Sequence, residues 1–305
     1  MTTAAVQTPP VTEAGVYDDM PVEAYLNDPV PGGSLSSTGA RKLLPPSCPA
    51  LYRQWATYGE PASRVFDLGH ASHHELLGDG YPITPIDAPD WRTKAARAAR
   101  EAAYADGATP LLAAEYEQVQ AMTAALRAHP VAGALFRPDA GTAEQSLFWV
   151  DAEFGVWRRA RTDWLTRSAT GRLLVADYKT AASAEPDALA RAMSSHGYYQ
   201  QGAWYLDAVT ALGLAGDGEP AFLLVAQEKT PPYLVTVAEP DALALRWGRA
   251  RNRKALDTYR RCRDTGDWPG YADRTVVSLA LPTWAERQHE AAWEAGDYDT
   301  EGNPS

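Results

Sequence analysis

Asp163, Asp177 and Lys179 are the residues whose types and spacing best suit chemistry. Asp163 stands near the end of a strand-like run, EFGVWRRARTDWLT, and Asp177 near the end of the next, GRLLVADYKT. If these runs pair through the turn at 168–171, their carboxylates meet at one sheet edge. Lys179 lies two residues past Asp177, and strand alternation puts both side chains on one face. Carboxylates meeting in this way are hard oxygen donors of the kind magnesium takes. A phosphodiester is anionic and repels hydroxide. A cation neutralises that charge, and a lysine stabilises the charge that develops in the transition state. The expected chemistry is metal-assisted hydrolysis of a phosphodiester. Taken alone, the pattern also fits a salt-bridged strand edge.

The elements that must position these residues can be read from punctuation and periodicity. VYDDMPVEAYLND predicts a short helix entered at Pro21. SLSSTGARKLLPP predicts a second, capped by Ser36 or Ser37 and stopped at Pro45, and PALYRQWATYG a third. In SRVFDLGHASHHELL, Val65, Leu68, Ser72 and Leu76 fall on one helical stripe. Residues 90–105 and 111–128 are alanine-rich helices parted by Gly107 and Pro110, polar enough to lie outside a core. AEQSLFWVD precedes the two runs above, with a hairpin turn at 151–155. A long helix over 186–213, interrupted near Gly197, leads to two more strands, AFLLVAQEK and YLVTVAE, separated by Pro231 and Pro232. A basic helix spans 240–265. The pattern predicts a mixed α/β (α+β) fold with a central sheet bracketed by helices. Trp149, Trp157 and Trp164 are expected to fill its core.

Composition narrows the class. The chain has 305 residues, 45% of them apolar, enough for one large domain. No apolar run is long enough to span a membrane. The first fifteen residues lack the basic and apolar regions of a secretory signal and read as a disordered leader. Cys48 and Cys262 are too few and too far apart for a disulfide framework or a structural zinc site, which suits a reducing cytoplasm. The net charge of −11 is awkward for a nucleic-acid binder. Arginines nevertheless cluster at Arg158, Arg159 and Arg161 and again from Arg246 to Arg263. Such basic stripes can bind phosphate, or serve as solvated faces.

Six segments together carry a resemblance. Asp163 followed by Asp177-Tyr178-Lys179 resembles the D…(D/E)-x-K motif of PD-(D/E)XK nucleases. Leu68-Gly69-His70-Ala71-Ser72-His73 is similar to the LGxAxH helix of the exonuclease VIII (RecE-type) subgroup, and the stretch from Gly197 to Tyr205 to its GYxxQxAxY helix. Gln227 to Tyr233 resembles its EKxxPY stretch, and Ser34 to Leu44 its opening. Glu144-Gln145-Ser146 leads into Arg161-Thr162-Asp163 as in that subgroup. The resemblance runs from about residue 17 to 285. It implies a restriction-endonuclease-like core at 61–285, a helical part at 16–60 and a polar tail at 286–305. It implies magnesium, with manganese as substitute, held by His73, Asp163, Asp177 and the carbonyl of Tyr178. Lys179 would place the attacking water. Gln201 and Tyr205 would contact DNA or orient ligands, and Arg161 and Glu144 would support the site. The implied activity is digestion of double-stranded DNA from its ends, handing a single strand to an annealing protein, with a homo-oligomeric ring as a possible assembly.

Other readings use some of these residues. A DNA-binding or assembly module without catalysis would keep the fold but has no need of Asp163, Asp177 and Lys179 together. A glycosidase would use paired carboxylates and tryptophan platforms but leaves Lys179 without a role. Within the nuclease reading, an endonuclease remains open. His70 and His74 have the spacing of a helical zinc pair, but the HExxH pattern is incomplete.

Overall fold

The computed structural model describes residues 9–59, 67–78, 80–273 and 275–298. The leader's first eight residues, Val65 of the helical stripe and the tail from 299 onwards lie outside the described residues. The chain divides into two compact units, Met1–Trp268 and Pro269–Ser305.

The first unit opens with strand β1 (Gly15–Tyr17), helix α1 (Val22–Leu26), strand β2 (Leu35–Ser36), helix α2 (Ser37–Lys42) and helix α3 (Pro49–Tyr58). Ser36 caps α2 by accepting from Gly39 N at 3.1 Å, and Pro49 opens α3 where its missing N–H costs nothing. Helix α4 (Asp67–Leu77) follows, then strand β3 (Ile83–Ile86), helix α5 (Lys94–Ala105), strand β4 (Thr109–Leu112), helix α6 (Ala113–Ala128) and helix α7 (Pro130–Leu135). Strands β3 and β4 form a separate parallel pair. The alanine-rich α6 is not peripheral: it buries Val119, Met122 and Leu126 completely.

Strands β5 (Gly141–Val150), β6 (Trp157–Arg167) and β7 (Leu173–Ala181) come next. Helices α8 (Pro186–His196) and α9 (Tyr198–Ala211) are parted by Gly197, whose φ of 70° closes one helix and opens the other. Strands β8 (Ala221–Glu228) and β9 (Val235–Ala238) and the long helix α10 (Ala242–Thr265) complete the unit. The second unit carries helix α11 (Thr283–Glu294). No helix among the described residues is long and apolar enough to cross a membrane.

The main sheet has the order β1-β5-β6-β7-β8-β9. β7 and β8 are parallel, so the α8–α9 pair is their crossover. One face packs Trp149, Val175, Phe222 and Leu224 against Trp204 of α9 and Leu256 of α10. The other packs Trp164, Tyr178 and Val225 against Leu76, Leu126 and Phe136 of α4, α6 and the end of α7. The three tryptophans read as one core fall into three clusters: Trp149 on the first face, Trp164 on the second and Trp157 beside Phe148.

The sheet is forked. β6 pairs with β5 along almost its whole length. On its other edge it pairs with β7 only from Trp164 to Arg167. Further back, that strand takes the short β2 as a parallel neighbour at Arg158 and Arg159. Residues 160–163 lie between these ladders, where β7 has left and β2 has not yet joined. The predicted meeting of Asp163 and Asp177 therefore falls inside the sheet, at the fork, rather than at an outer edge.

Helix α9 is clamped from both sides. A Cβ on Gly202 would come within 2.6 Å of the Phe222 ring, and one on Gly248 of α10 within 2.4 Å of Tyr199 O. Neither neighbour is the loose end of a flexible side chain. Gly202→Ala and Gly248→Ala should each destabilise the fold by about 1–3 kcal/mol through overpacking, read as a lower urea midpoint at unchanged slope. Unchanged midpoints would mean that α9 has slack.

Candidate active centre

At the fork, backbone geometry decides what the side chains do. The last ladder pair is Trp164↔Ala176, and the next residues on the two strands are Asp163 and Asp177. Where the strands part, Tyr178 N has lost its cross-strand carbonyl. Asp163 Oδ2 accepts from it instead, at 2.8 Å. A buried N–H left without a partner would cost about 1–3 kcal/mol, so Asp163 has a structural task whatever else it does.

Asp177 is wholly buried. Its Oδ1 accepts from Gln201 Nε2 at 2.8 Å, and that same nitrogen lies 3.0 Å from Tyr205 Oη. Its Oδ2 lies 2.6 Å from Lys179 Nζ, which is also 3.8 Å from Asp163 Oδ2. α9 thus reaches the centre through Gln201 and Tyr205, one turn apart. α4 reaches it from the other side of the sheet. His73 Nε2 is 2.7 Å from Tyr178 O, and its Nδ1 is 3.7 Å from Asp163 Oδ2. A carbonyl only accepts, so Nε2 carries the proton and Nδ1 presents its lone pair towards Asp163.

Glu144 of β5 lies directly across from Asp163 of β6, between the ladder pairs Ala143↔Trp164 and Gln145↔Thr162. It has a φ of 49°, unusual for a glutamate inside a strand. Arg161 Nε donates to its Oε2 at 2.7 Å, and Arg161 Nη1 donates to Met20 O and Ser146 Oγ. His73, Glu144 and Asp163 each offer a ligand atom, all within 4.8 Å of one another. That mixture of imidazole and carboxylate oxygen suits a divalent cation.

The residues singled out by sequence therefore converge: Asp163, Asp177, Lys179, His73, Tyr178, Gln201 and Tyr205 adjoin one another, and Glu144 with Arg161 borders them. His70 does not join; its ring faces Tyr81. Of the basic clusters, the first is a correction. Arg158 is buried between Trp149 and Trp204, paired with Asp151 and Asp207. Arg159 is buried against Asp28 and Ser34. On α10, Arg249 pairs with Asp207, Arg253 with Glu153 and Arg261 with Asp257. The first cluster is thus spent partly on internal ion pairs, whereas the α10 arginines stay on the surface. Arg41 of α2 went unnoticed in the sequence. Its guanidinium feels the charge of Asp177, and a Cβ on Gly197 would lie 2.8 Å from its Cδ. A lone arginine in a short capped helix carries no periodic signal.

Burial drives the electrostatics. It raises the carboxyl of Asp163 above its ordinary range and lifts Asp177 to about 6, despite Lys179. Burial pulls against Lys179, but Asp177 and Asp163 outweigh it and hold its ammonium above the usual lysine range. Burial, helped by the charge on Lys179, lowers His73 to about 4. The imidazole is therefore neutral near pH 7 and able to ligate.

Over residues 92–277 the chain matches a family described as a PDDEXK-like domain of unknown function (DUF3799), well over half its length. The chain belongs to this family. The matched span of this PDDEXK-like chain includes Glu144, Asp163, Asp177 and Lys179; His73 lies before it. A solved protein from Eubacterium rectale, described as a candidate exonuclease, is similar at 12% identity with a TM-score of 0.55. The match covers 87% of this chain and 94% of that one, and it shows a shared fold. A structure of SSO0001 matches at 19% identity with a TM-score of 0.29, over 64% of this chain and 84% of that one. No curated protein matches the sequence.

The two opposed shifts make a testable pair. His73, depressed from 6.5 to about 4, contributes stability that is lost as pH falls through that window. Asp177, raised from 3.8 to about 6, contributes stability that is lost as pH rises through its own. In the wild type they offset. In EDTA, His73→Gln should lose, relative to wild type, on the order of 2–3 kcal/mol of unfolding free energy between about pH 4 and pH 6. Parallel urea-derived profiles for the two proteins would contradict this.

Proposed function

We propose that the protein is a magnesium-dependent exonuclease that hydrolyses phosphodiester bonds at the ends of double-stranded DNA. The carrying observation is the meeting of Asp163, Asp177 and Lys179 where β6 and β7 part, beside the His73–Glu144–Asp163 donor group. Membership in a PDDEXK-like family and the fold shared with a protein described as a candidate exonuclease support the nuclease reading. The end-specific reading leans on the motif resemblance to the exonuclease VIII type.

The residues fit a divalent cation by donor chemistry: neutral imidazole and carboxylates on rigid elements. When bound there, such a cation supplies charge neutralisation at the phosphodiester. The chain's own groups do the rest. Lys179, fixed on Asp177, directs its ammonium to orient the attacking water and stabilise the charge that develops on the phosphate. Gln201 holds Asp177 in its rotamer, and Tyr205 holds Gln201. Asp163 pins the backbone at Tyr178, so the strand bearing Lys179 stays in place relative to His73. The product strand would pass to a single-strand annealing protein, and a homo-oligomeric ring would confine the substrate. The buried free thiols Cys48 and Cys262 suit a cytoplasmic setting.

Linear duplex DNA and a covalently closed circle of the same sequence separate the alternatives. With magnesium, the linear form should disappear and the circle persist, and EDTA should protect both. Cleavage of the circle would keep the nuclease and overturn the exonuclease. No cleavage by folded protein with magnesium or manganese would leave a DNA-binding module.

A further inference from the structure

We propose that Arg41 of α2 binds a phosphate of the strand being cut, next to the scissile one, with the Tyr198 hydroxyl as its companion donor. The proposal rests on the nuclease reading and adds to it a subsite outside the Asp163–Asp177–Lys179 centre.

The start of α9 fixes where Arg41 lies. A Cβ on Gly197 would come 2.8 Å from Arg41 Cδ and 3.9 Å from Arg41 Nε, so the arginine stem runs against the backbone there. The N–H of Gln201 closes a turn on Gly197 O at 3.0 Å, and the Gln201 side chain donates to Asp177 Oδ1. Arg41 therefore stands one helical turn, about 5.4 Å along α9, from the residue that holds Asp177. That offset sets it beside a phosphate at the centre rather than on it. The electrostatics agree. Burial pulls the Arg41 guanidinium below its ordinary range, opposed by Tyr205, Asp177 and Tyr198. Tyr198 acts on Lys179 as well, so the two cations share this tyrosine as a neighbour.

Arg41 differs from the other arginines of the fold in having no anion of its own. Arg158, Arg159, Arg161 and Arg249 each pair with a carboxylate. Among the described residues Arg41 makes no ion pair: Nη1 donates to Ser37 Oγ at 3.4 Å and Nη2 to Thr38 Oγ1 at 3.2 Å. Two long bonds to neutral hydroxyls hold the guanidinium in place without neutralising it. A half-buried cation in this state favours an incoming anion. Its five N–H donors form a planar array that fits phosphate bidentately, and two bonds leave three of them. Ser37 is buried and Thr38 exposed, so the group reaches from the interior to the surface. The half-buried Tyr198 hydroxyl likewise has no hydrogen bond among the described residues. The sheet fork holds Glu144, Asp163 and Asp177 against Lys179 and Arg161, and Arg161 is engaged with Glu144. A polyanionic strand is repelled there unless further positive charge faces it.

The salt dependence of DNA affinity, measured by fluorescence anisotropy in calcium without cleavage, reads the contact directly. Arg41→Gln should weaken binding roughly 10-fold or more at low salt. It should also make the slope of log K against log salt shallower by about 0.7–0.9, the counterion share of one phosphate. Lys42→Gln removes the same charge from the same helix, but Lys42 lies over Trp55, and its slope should stay that of the wild type. Arg41→Lys should restore the slope and only part of the affinity, because an ammonium cannot bind bidentately. Equal slopes in wild type and Arg41→Gln, or equal losses in Arg41→Gln and Lys42→Gln, would overturn the proposal. Thermal melts establish that each variant is folded; if Arg41→Gln is not, Arg41→Met, which keeps a stem against Gly197, takes its place. Duplexes with and without a terminal phosphate locate the group bound. A loss confined to phosphorylated ends assigns it to a terminal monoester, and an equal loss on both to a diester within the strand. Wild-type protein that binds no DNA would overturn this proposal and the nuclease reading together. DNA binding with the Arg41 slope change but no cleavage in magnesium would overturn the nuclease reading alone.

Discussion

The divergence of β6 and β7 after Trp164↔Ala176 is the constraint on which the rest of the structure depends. A sheet that stayed zipped would satisfy its backbone and bury nothing reactive. By parting, it takes the ladder partner from Tyr178 N and makes room for side chains between the two strands. Asp163 fills both needs, replacing the lost ladder acceptor and presenting a carboxylate to the gap. The short β2 then takes up the edge of β6 further back, so the opening is local. α4 and α9 approach from opposite faces and supply His73 and Gln201 to the same gap.

Charge explains why the gap is so heavily braced. Three carboxylates, Glu144, Asp163 and Asp177, are packed there with Lys179 and Arg161. Burying charge is costly unless it is paired and hydrogen-bonded. The excess is negative, in keeping with a centre that takes a cation and raises its own carboxyl pKa values without one. The surrounding arginines serve the same economy of pairing: Arg158 and Arg159 close ion pairs inside the fold rather than form a phosphate stripe. The net charge of −11 therefore describes the whole chain and says little about the fork.

Much of this was legible in the sequence, because local rules and motif spacing agree along β5 to α9. Apolar runs ending in charge placed β6 and β7, and Gly197 marked the break between α8 and α9 as expected. Alternation by two put Asp177 and Lys179 together. What stayed hidden depends on tertiary geometry. β1, β3 and β4 are three or four residues long, and two of them contain proline, so they carry no alternation to read. The direction of the Glu144 side chain was not legible, because the turning-over of β5 breaks the period from which it would be inferred. Arg158 and Arg159 read as surface because sequence shows charge but not the partners, such as Asp207 and Asp28, that draw it inward.

The central claim is that the fork performs chemistry rather than merely binding DNA. The most direct measurement is the single-turnover rate of Lys179→Met against wild type on saturating linear duplex with magnesium, alongside DNA affinity by fluorescence anisotropy in calcium. The account predicts a rate loss of roughly 10²–10³-fold or more with affinity nearly unchanged, because Lys179 acts on charge that develops only in the transition state. An unchanged rate, or a loss that merely follows weakened binding, would contradict it.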